Sequence, residues 1–230
     1  MQKTTFLRLT CWCLFLALAG ATALSPTLGH AAGYAAPPAK PSVPPSAAGD
    51  VAAQPAEKFI QGLGDRAIKV IADKTQSPEE RDQKYHQLLR EAFDIAAIGR
   101  FVLGRSWQIA TPEQQQEYLA LFEKMVVKIY GNKLNFYSGE SFRAAGSRQE
   151  GSQGVVVSSE VVYPDGKPPL KIDWRVMPKG GSFAIHDVVV EGVSQSITQR
   201  QEYASILQRN EGKIEALLVE MRAKVLKDSQ

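Results

Sequence analysis

Apolar residues recur at Tyr118, Leu121, Phe122, Met125, Val126, Ile129 and Tyr130, at the spacing i, i+3, i+4, i+7, i+8, i+11, i+12, and after Gly131 the apolar period falls to two. The first pattern lines one face of a helix of more than three turns, and the second is that of strands. A chain that changes period in this way must bury a helical stripe and a sheet together, which limits it to helices layered on a sheet.

The rest of the chain can be placed around that switch. Phe59, Ile60, Leu63, Ala67, Val70 and Ile71 carry helical spacing. Ser77-Pro78-Glu79-Glu80 reads as a helix start in which Ser77 caps, Pro78 takes the first turn and Glu80 completes a capping box. Its apolar stripe is Tyr85, Leu88, Leu89, Ala92 and Phe93. Asp94 can cap a short helix carrying Ile95, Ile98, Phe101 and Val102, closed by Gly104, and Thr111-Pro112-Glu113-Gln114 repeats the start signal for the long helix.

Beyond Gly131, the valine-rich segment from Gly154 to Tyr163 is followed by a turn at Pro164-Asp165-Gly166. Leu170, Ile172, Trp174 and Val176 then alternate with Lys171, Asp173, Arg175 and Met177. Gly180-Gly181 makes the next reversal, and Phe183 to Glu191 is the last long strand. Two helices follow, around Thr198 to Arg209 and Gly212 to Lys227. The expected class is α+β, with helices packed on a twisted antiparallel sheet of about four to five strands.

The first 55 residues do not fit this scheme. Lys3 and Arg8 precede an apolar run from Leu9 to Ala23 that ends in Ala21-Thr22-Ala23, the composition of a cleaved secretory signal over residues 1–23. The run is too short to span hydrocarbon. Residues 24–55 hold Pro26, Pro37, Pro38, Pro41, Pro44, Pro45 and Pro55 among alanines, serines and glycines, and read as an extended leader. The working domain is then 56–230, exported to the periplasm. The chain's two cysteines, Cys11 and Cys13, leave with the signal, so the domain is held by packing without disulfides. Removing Lys3 and Arg8 leaves 25 basic residues against 24 acidic ones, and with no basic run a nucleic-acid face has no support.

Catalytic chemistry finds little footing. Gly192-Val193-Ser194-Gln195-Ser196 follows a strand and precedes a helix, the setting of a nucleophile elbow, but Ser196 replaces the final glycine. The only histidines are His30, His86 and His186, none after Ser194. An esterase would have to use Ser194 with His186, eight residues upstream in the strand that leads into the same turn. Metal-ligand spacings, dinucleotide loops and phosphate loops are missing, so neither metal nor cofactor is expected. Asp173 and Asp187 read as solvated or turn-capping residues.

The sheet carries more apolar residues than one buried face needs. In Val155-Val156-Val157, Val161-Val162 and Val188-Val189-Val190 both faces of the strand are apolar. Two readings stay open on this pattern: helices covering both faces of a solid sheet, or an apolar cavity between sheet and helices. With a solid core, the leader and basic residues such as Lys124 and Lys128 would make an interaction module.

The run Phe93-Asp94-Ile95-Ala96-Ala97-Ile98-Gly99-Arg100-Phe101-Val102-Leu103-Gly104-Arg105-Ser106-Trp107, followed by Thr111-Pro112-Glu113-Gln114, resembles the signature of the MlaC family of periplasmic phospholipid-binding proteins, also called toluene-tolerance auxiliary proteins. Asp187-Val188-Val189-Val190-Glu191-Gly192-Val193-Ser194, then Arg200 and Ile206-Leu207, is similar to the family's second block, and Tyr130 falls where the family usually ends the long helix. Gly99 stands where the family more often has alanine.

The resemblance implies a carrier that holds acyl chains between sheet and helices. Such a carrier passes a phospholipid, or a hopanoid-type lipid as in a related branch, between an outer-membrane lipoprotein complex and an inner-membrane ABC transporter complex. On this reading Val155, Val157, Val161, Tyr163, Ile172, Trp174 and Val176 line the wall, and Phe122, Val126, Tyr130 and Phe101 face them from the helices. A shift of one residue would exchange Val155 for Val156. A charged residue at Val157 is expected to lower lipid content without unfolding the domain. Arg100 and Arg200 have two readings each: head-group or docking contacts, or ion pairs between helices, with Asp94 or Glu191 as partners.

Overall fold

The computed structural model describes residues 47–131 and 137–227, with side chains over slightly narrower ranges. Among the described residues there are seven helices and one sheet: α1 (Ala47–Ala72), α2 (Pro78–Ala92), α3 (Ile95–Leu103), α4 (Ser106–Ile109) and α5 (Pro112–Gly131) precede the sheet in the chain, and α6 (Gln195–Arg209) and α7 (Ile214–Lys227) follow it. The sheet is an antiparallel meander of five strands in chain order, β1 (Ser141–Glu150), β2 (Gly154–Val162), β3 (Leu170–Lys179), β4 (Ser182–Val190) and the two-residue β5 (Val193–Ser194). This is the α+β arrangement expected. The proposed signal peptide lies outside the described residues, as does the leader up to Ser46.

The helix starts form as their sequences require. Ser77 accepts from the Glu80 backbone N–H at 3.2 Å while the Glu80 carboxylate accepts from the Ser77 N–H at 2.9 Å. Thr111 and Gln114 repeat the exchange at the start of α5, at 3.3 and 3.1 Å. Asp94 accepts from Ala97 N–H at 3.1 Å to cap α3. Each bond satisfies a donor that a helix start would otherwise leave bare.

Two elements differ from expectation. α1 begins at Ala47, so nine residues assigned to the leader belong to it, and Ala53 is buried. Pro55, Gly62 and Gly64 lie inside this helix, where each disfavours helix by about 1 kcal/mol for glycine and about 3 for an interior proline. Packing must therefore supply what propensity does not. The second difference is β1, which carries no clear apolar alternation and bends at a register shift between Ala144 and Ser147, where Gly146 has φ +119°.

α1 lies along β1 and covers its free edge. The Gln61 side chain takes the place of a neighbouring strand: its Oε1 accepts from Ala144 N–H at 2.7 Å and its Nε2 donates to Phe142 C=O at 3.5 Å. Ser147 donates to Ala53 C=O at 3.0 Å. The exposed ladder that invites edge-to-edge association is thus occupied by the protein's own helix.

Two apolar clusters result. One joins α1 to the sheet through Ala56, Ile60, Ala92, Val155, Val157, Val176, Ile185 and Val188. The other lies among the helices, with Val102, Leu103, Tyr118, Phe122, Tyr203, Leu217, Leu218 and Met221. The chain connects them where Asp94 N–H donates to Ile185 C=O at 3.0 Å, tying the start of α3 to β4.

Candidate functional site

Cross-strand register settles which sheet face is apolar. Val155 pairs with Val176 and Val157 with Trp174, so these residues share one face with Ile172 and, from β1, Phe142 and Ala144. Val155, Val157 and Val176 are fully buried there, and Ile172 and Trp174 are partly buried against them. Val156, on the opposite face, is buried as well. Trp174 donates its indole N–H to Ser159 Oγ at 2.8 Å, satisfying the polar group within this apolar layer. Val161 and Tyr163 are half-buried at the far end of β2, outside this cluster.

The helix opposite this face is not the expected one. Phe122 and Val126 belong to the helical cluster, where Phe122 stacks on Tyr118 with ring centres 5.8 Å apart. α5 packs on α7, α3 and α2, and the sheet face is met by Ala56, Phe59, Ile60 and Leu63 of α1. The Tyr130 side chain lies outside the described residues. Phe101 is 45% exposed on α3 and belongs to neither apolar cluster. Val157 is fully covered, so a charge at that position would be buried beneath α1 and would not be neutral to folding.

A cleft of about 640 Å³ opens at the end of the α1–sheet cluster, between α1, the last turn of α2 and the β3–β4 hairpin. Phe59, Leu63, Ala92, Phe93, Phe183 and Ala184 are its apolar lining, and all but Ala184 belong to that cluster. Lys58, Arg66, Arg90 and Lys179 also line it, against a single carboxylate, Glu91. None of the residues selected from sequence lines this cleft directly. Val155, Val157, Ile172, Trp174 and Val176 lie in the cluster that continues behind it.

The cleft's charges are distributed over three elements. Arg66 donates to Glu91 Oε2 at 2.7 Å, joining α1 to α2, and Gln87 donates to Glu91 Oε1 at 2.8 Å. These bonds, the Arg66 one foremost, hold the Glu91 carboxyl below its ordinary range. Arg90 reaches Glu123 at 2.7 Å, and Lys179 reaches Asp94 at 2.8 Å. Burial works to raise Asp94, but Lys179 and the Ala97 N–H outweigh it and keep that carboxyl low. Lys58 has no acidic partner among the described residues.

Arg100 and Arg200 lie outside the cleft lining. The Arg100 guanidinium sits 5.4 Å from the centre of the Trp107 ring, and neither Asp94 nor Glu191 pairs with it among the described residues. Arg200 donates to Phe101 C=O at 3.2 Å and lies 5.0 Å over the Phe101 ring. It therefore binds an unpaired carbonyl in the last turn of α3, where a cation is also favoured by the helix dipole. Gly104, at φ +61°, follows that turn, and a Cβ there would stand 3.0 Å from the guanidinium. One contact thus links the two sequence blocks quoted above.

Ser194 is also committed. It donates to Asp187 Oδ2 at 2.6 Å and accepts from Ile197 N–H at 3.1 Å as the cap of α6. Asp187 is buried, not solvated: it accepts as well from Ser196 N–H at 3.0 Å and pairs with Arg175 at 2.9 Å. His186 faces Asp94, 4.0 Å away, and no histidine bonds Ser194 among the described residues. That arrangement anchors a helix start, with Ser194 bonded to Asp187 and not to a histidine.

Among the described residues no group of three His, Cys, Asp or Glu is placed to hold a metal ion, and no helix is long and apolar enough to cross a membrane. Toluene tolerance protein ttg2D of Pseudomonas putida is 24% identical over 167 residues, covering 70% of this chain and 76% of that protein. The intermembrane phospholipid transport system binding protein MlaC of Haemophilus influenzae is 23% identical over 132 residues, 56% of this chain and 61% of that protein. The fold is similar to that of a phospholipid-binding protein from Ralstonia solanacearum, solved in complex with a phospholipid, with TM-score 0.67 and 20% identity over 76% of this chain and 99% of that one. The family model described as MlaC protein matches residues 61–223, which takes in the C-terminal part of α1, the whole sheet and both sequence blocks, and the chain therefore belongs to the MlaC family.

Proposed function

We propose that this protein is a lipid-binding transport protein that takes the acyl chains of a phospholipid into the cleft between α1, α2 and the β3–β4 hairpin. The observation that carries this reading is the cleft itself: an apolar floor continuous with the α1–sheet cluster beneath a mouth with four cations and one carboxylate. Moving two acyl chains into water costs on the order of 20 kcal/mol, at ~0.8 kcal/mol per methylene, so a carrier must enclose them throughout transit. The phosphate can stay at the wet mouth. The relatives named for phospholipid transport and binding support this ligand class over a hopanoid, which has no phosphate for the cations to meet.

On this reading residues 1–23 direct export and the carrier works in the periplasm. It receives lipid from an outer-membrane lipoprotein complex and delivers it to an inner-membrane ABC transporter complex, or the reverse. Val155, Val157, Ile172, Trp174 and Val176 form the back wall that tails reach once α1 shifts. α1 suits such movement, because Pro55, Gly62 and Gly64 make it a weak helix that depends on its contacts.

Native mass spectrometry of the protein incubated with phospholipid vesicles tests the proposal. Bound phospholipid at about one per chain is expected. A chain that emerges without lipid, both as purified and after incubation, would overturn it.

A further inference from the structure

The cleft's cations have a consequence for which phospholipid it takes. We infer that the mouth formed by Lys58, Arg66, Arg90 and Lys179 selects head groups of net negative charge, such as phosphatidylglycerol, over zwitterionic ones such as phosphatidylethanolamine; this rests on the carrier reading above.

Three observations support the selection. Four cations from α1, α2 and the β3–β4 hairpin line one opening against one carboxylate. Both oxygens of that carboxylate are already taken, one by Arg66 and the other by Gln87, and the acids beside Arg90 and Lys179 are bound by those cations. An ethanolamine ammonium would thus meet the unpaired Lys58 and find every neighbouring carboxylate already holding a cation. A glycerol head group adds no positive charge and offers hydroxyls instead.

The phosphate can be seated at little cost. Lys58 has no acidic partner to give up among the described residues. Arg66 and Glu91 are 59% and 43% exposed, and an ion pair so hydrated holds its partners weakly. A phosphodiester presents two oxygens to the planar guanidinium and can share it with Glu91, which stays bound. Glu91 competes with the phosphate for Arg66, and its removal should strengthen lipid capture.

The test uses vesicles of equal phosphatidylglycerol and phosphatidylethanolamine, with bound species read by native mass spectrometry. Wild type should take up phosphatidylglycerol with about a tenfold preference, the weight of one charge-assisted hydrogen bond. The double variant Lys58→Gln, Arg66→Gln should fall to near parity and bind less lipid in total, with its circular dichroism little changed. Glu91→Gln should raise the preference, and added salt should lower it.

A bound ratio that mirrors the vesicles in wild type, or a preference that survives the double variant, would overturn the inference while leaving the carrier in place. Absence of any lipid in wild type would remove both. Inorganic phosphate in excess should leave the lipid bound. If it clears the cleft of lipid instead, the cations serve a free anion and the inference fails.

Discussion

The two apolar clusters differ in how completely they close. Among the helices, fourteen apolar residues are buried and six more pack partly buried against them, with Tyr118 and Tyr203 at the centre, both fully enclosed. Between α1 and the sheet, eight are buried and nine partly buried, including Phe59, Leu63, Phe93 and Phe183, which line the cleft. The first cluster is built mainly from residues of α3, α5, α6 and α7. The second is closed by one weak helix and open at one end. On the carrier reading, rigidity and ligand access thus fall to different parts of one domain.

The largest effect expected from breaking this contrast is Tyr118→Ala. Tyr118 donates its hydroxyl to Gly99 C=O at 2.9 Å and packs against Trp107, Phe122 and Tyr203. Burial drives its ionisation out of the physiological range, so the hydroxyl acts only as a neutral donor. Truncation should cost about 4 kcal/mol in urea unfolding, with lipid content per folded molecule unchanged. A loss of lipid without a loss of stability would show that the helical cluster is not separate from the carrier function.

Two glycines of α1 sharpen the contrast from the other side. A Cβ on Gly64 would stand 2.2 Å from the Phe142 ring, whereas a Cβ on Gly62, in the cleft, meets nothing within 4 Å. Gly64→Ala should therefore destabilise by about 2 kcal/mol as α1 is pushed from β1. Gly62→Ala should stabilise by about 0.5–1 kcal/mol through helix propensity alone. Gly62→Trp should keep the fold and exclude lipid by filling the cleft. Thermal melts and lipid content of the three variants give the outcome, and equal effects of alanine at both sites would contradict the placement of α1.

Local chemistry explains what was legible beforehand. The caps at Ser77, Asp94 and Thr111, the stop at Gly104 and the paired faces of β2 and β3 depend on residues a few positions apart, and each is found as read. The period of α5 correctly marks Phe122 and Val126 as inward-facing, but a period says nothing about which neighbour an inward face meets. The error of setting them against the sheet follows from that. β1 is hard to read in the sequence because its apolar, partly buried residues, Phe142 and Ala144, are few, and α1 with its Gln61 covers the strand instead. The cations of the cleft come from α1, α2 and the β3–β4 hairpin, so no spacing in the chain announces them. Arg200 carried two readings because its partners, Phe101 and Gly104, lie in another block.

That last contact predicts a smaller effect. Arg200→Ala removes a hydrogen bond and a cation from the C-terminal turn of α3 and should cost about 1 kcal/mol. Phospholipid uptake should be unchanged, because Arg200 is not among the residues lining the cleft. Impaired lipid capture by a normally stable Arg200→Ala protein would return the residue to the head-group role first considered for it.

The smallest effect tests the joint between the clusters. His186 sits on β4 beside Ile185, whose carbonyl receives the Asp94 N–H, and it faces Asp94 and Lys179. Burial, aided by Lys179 and opposed by Asp94, lowers its pKa below 6.5. The unfolded chain therefore binds the proton more readily than the folded one, and stability should fall as pH drops below about 6.5. Asp94 does not compensate in that window: its own folded pKa lies below 3.8, so its contribution is lost only in stronger acid. His186→Gln should flatten the dependence of melting temperature on pH below about 6.5 while leaving the value near neutral pH almost unchanged. If the variant melts with the same pH dependence as wild type, the joint does not sense protonation at His186, and the slope must arise at other groups.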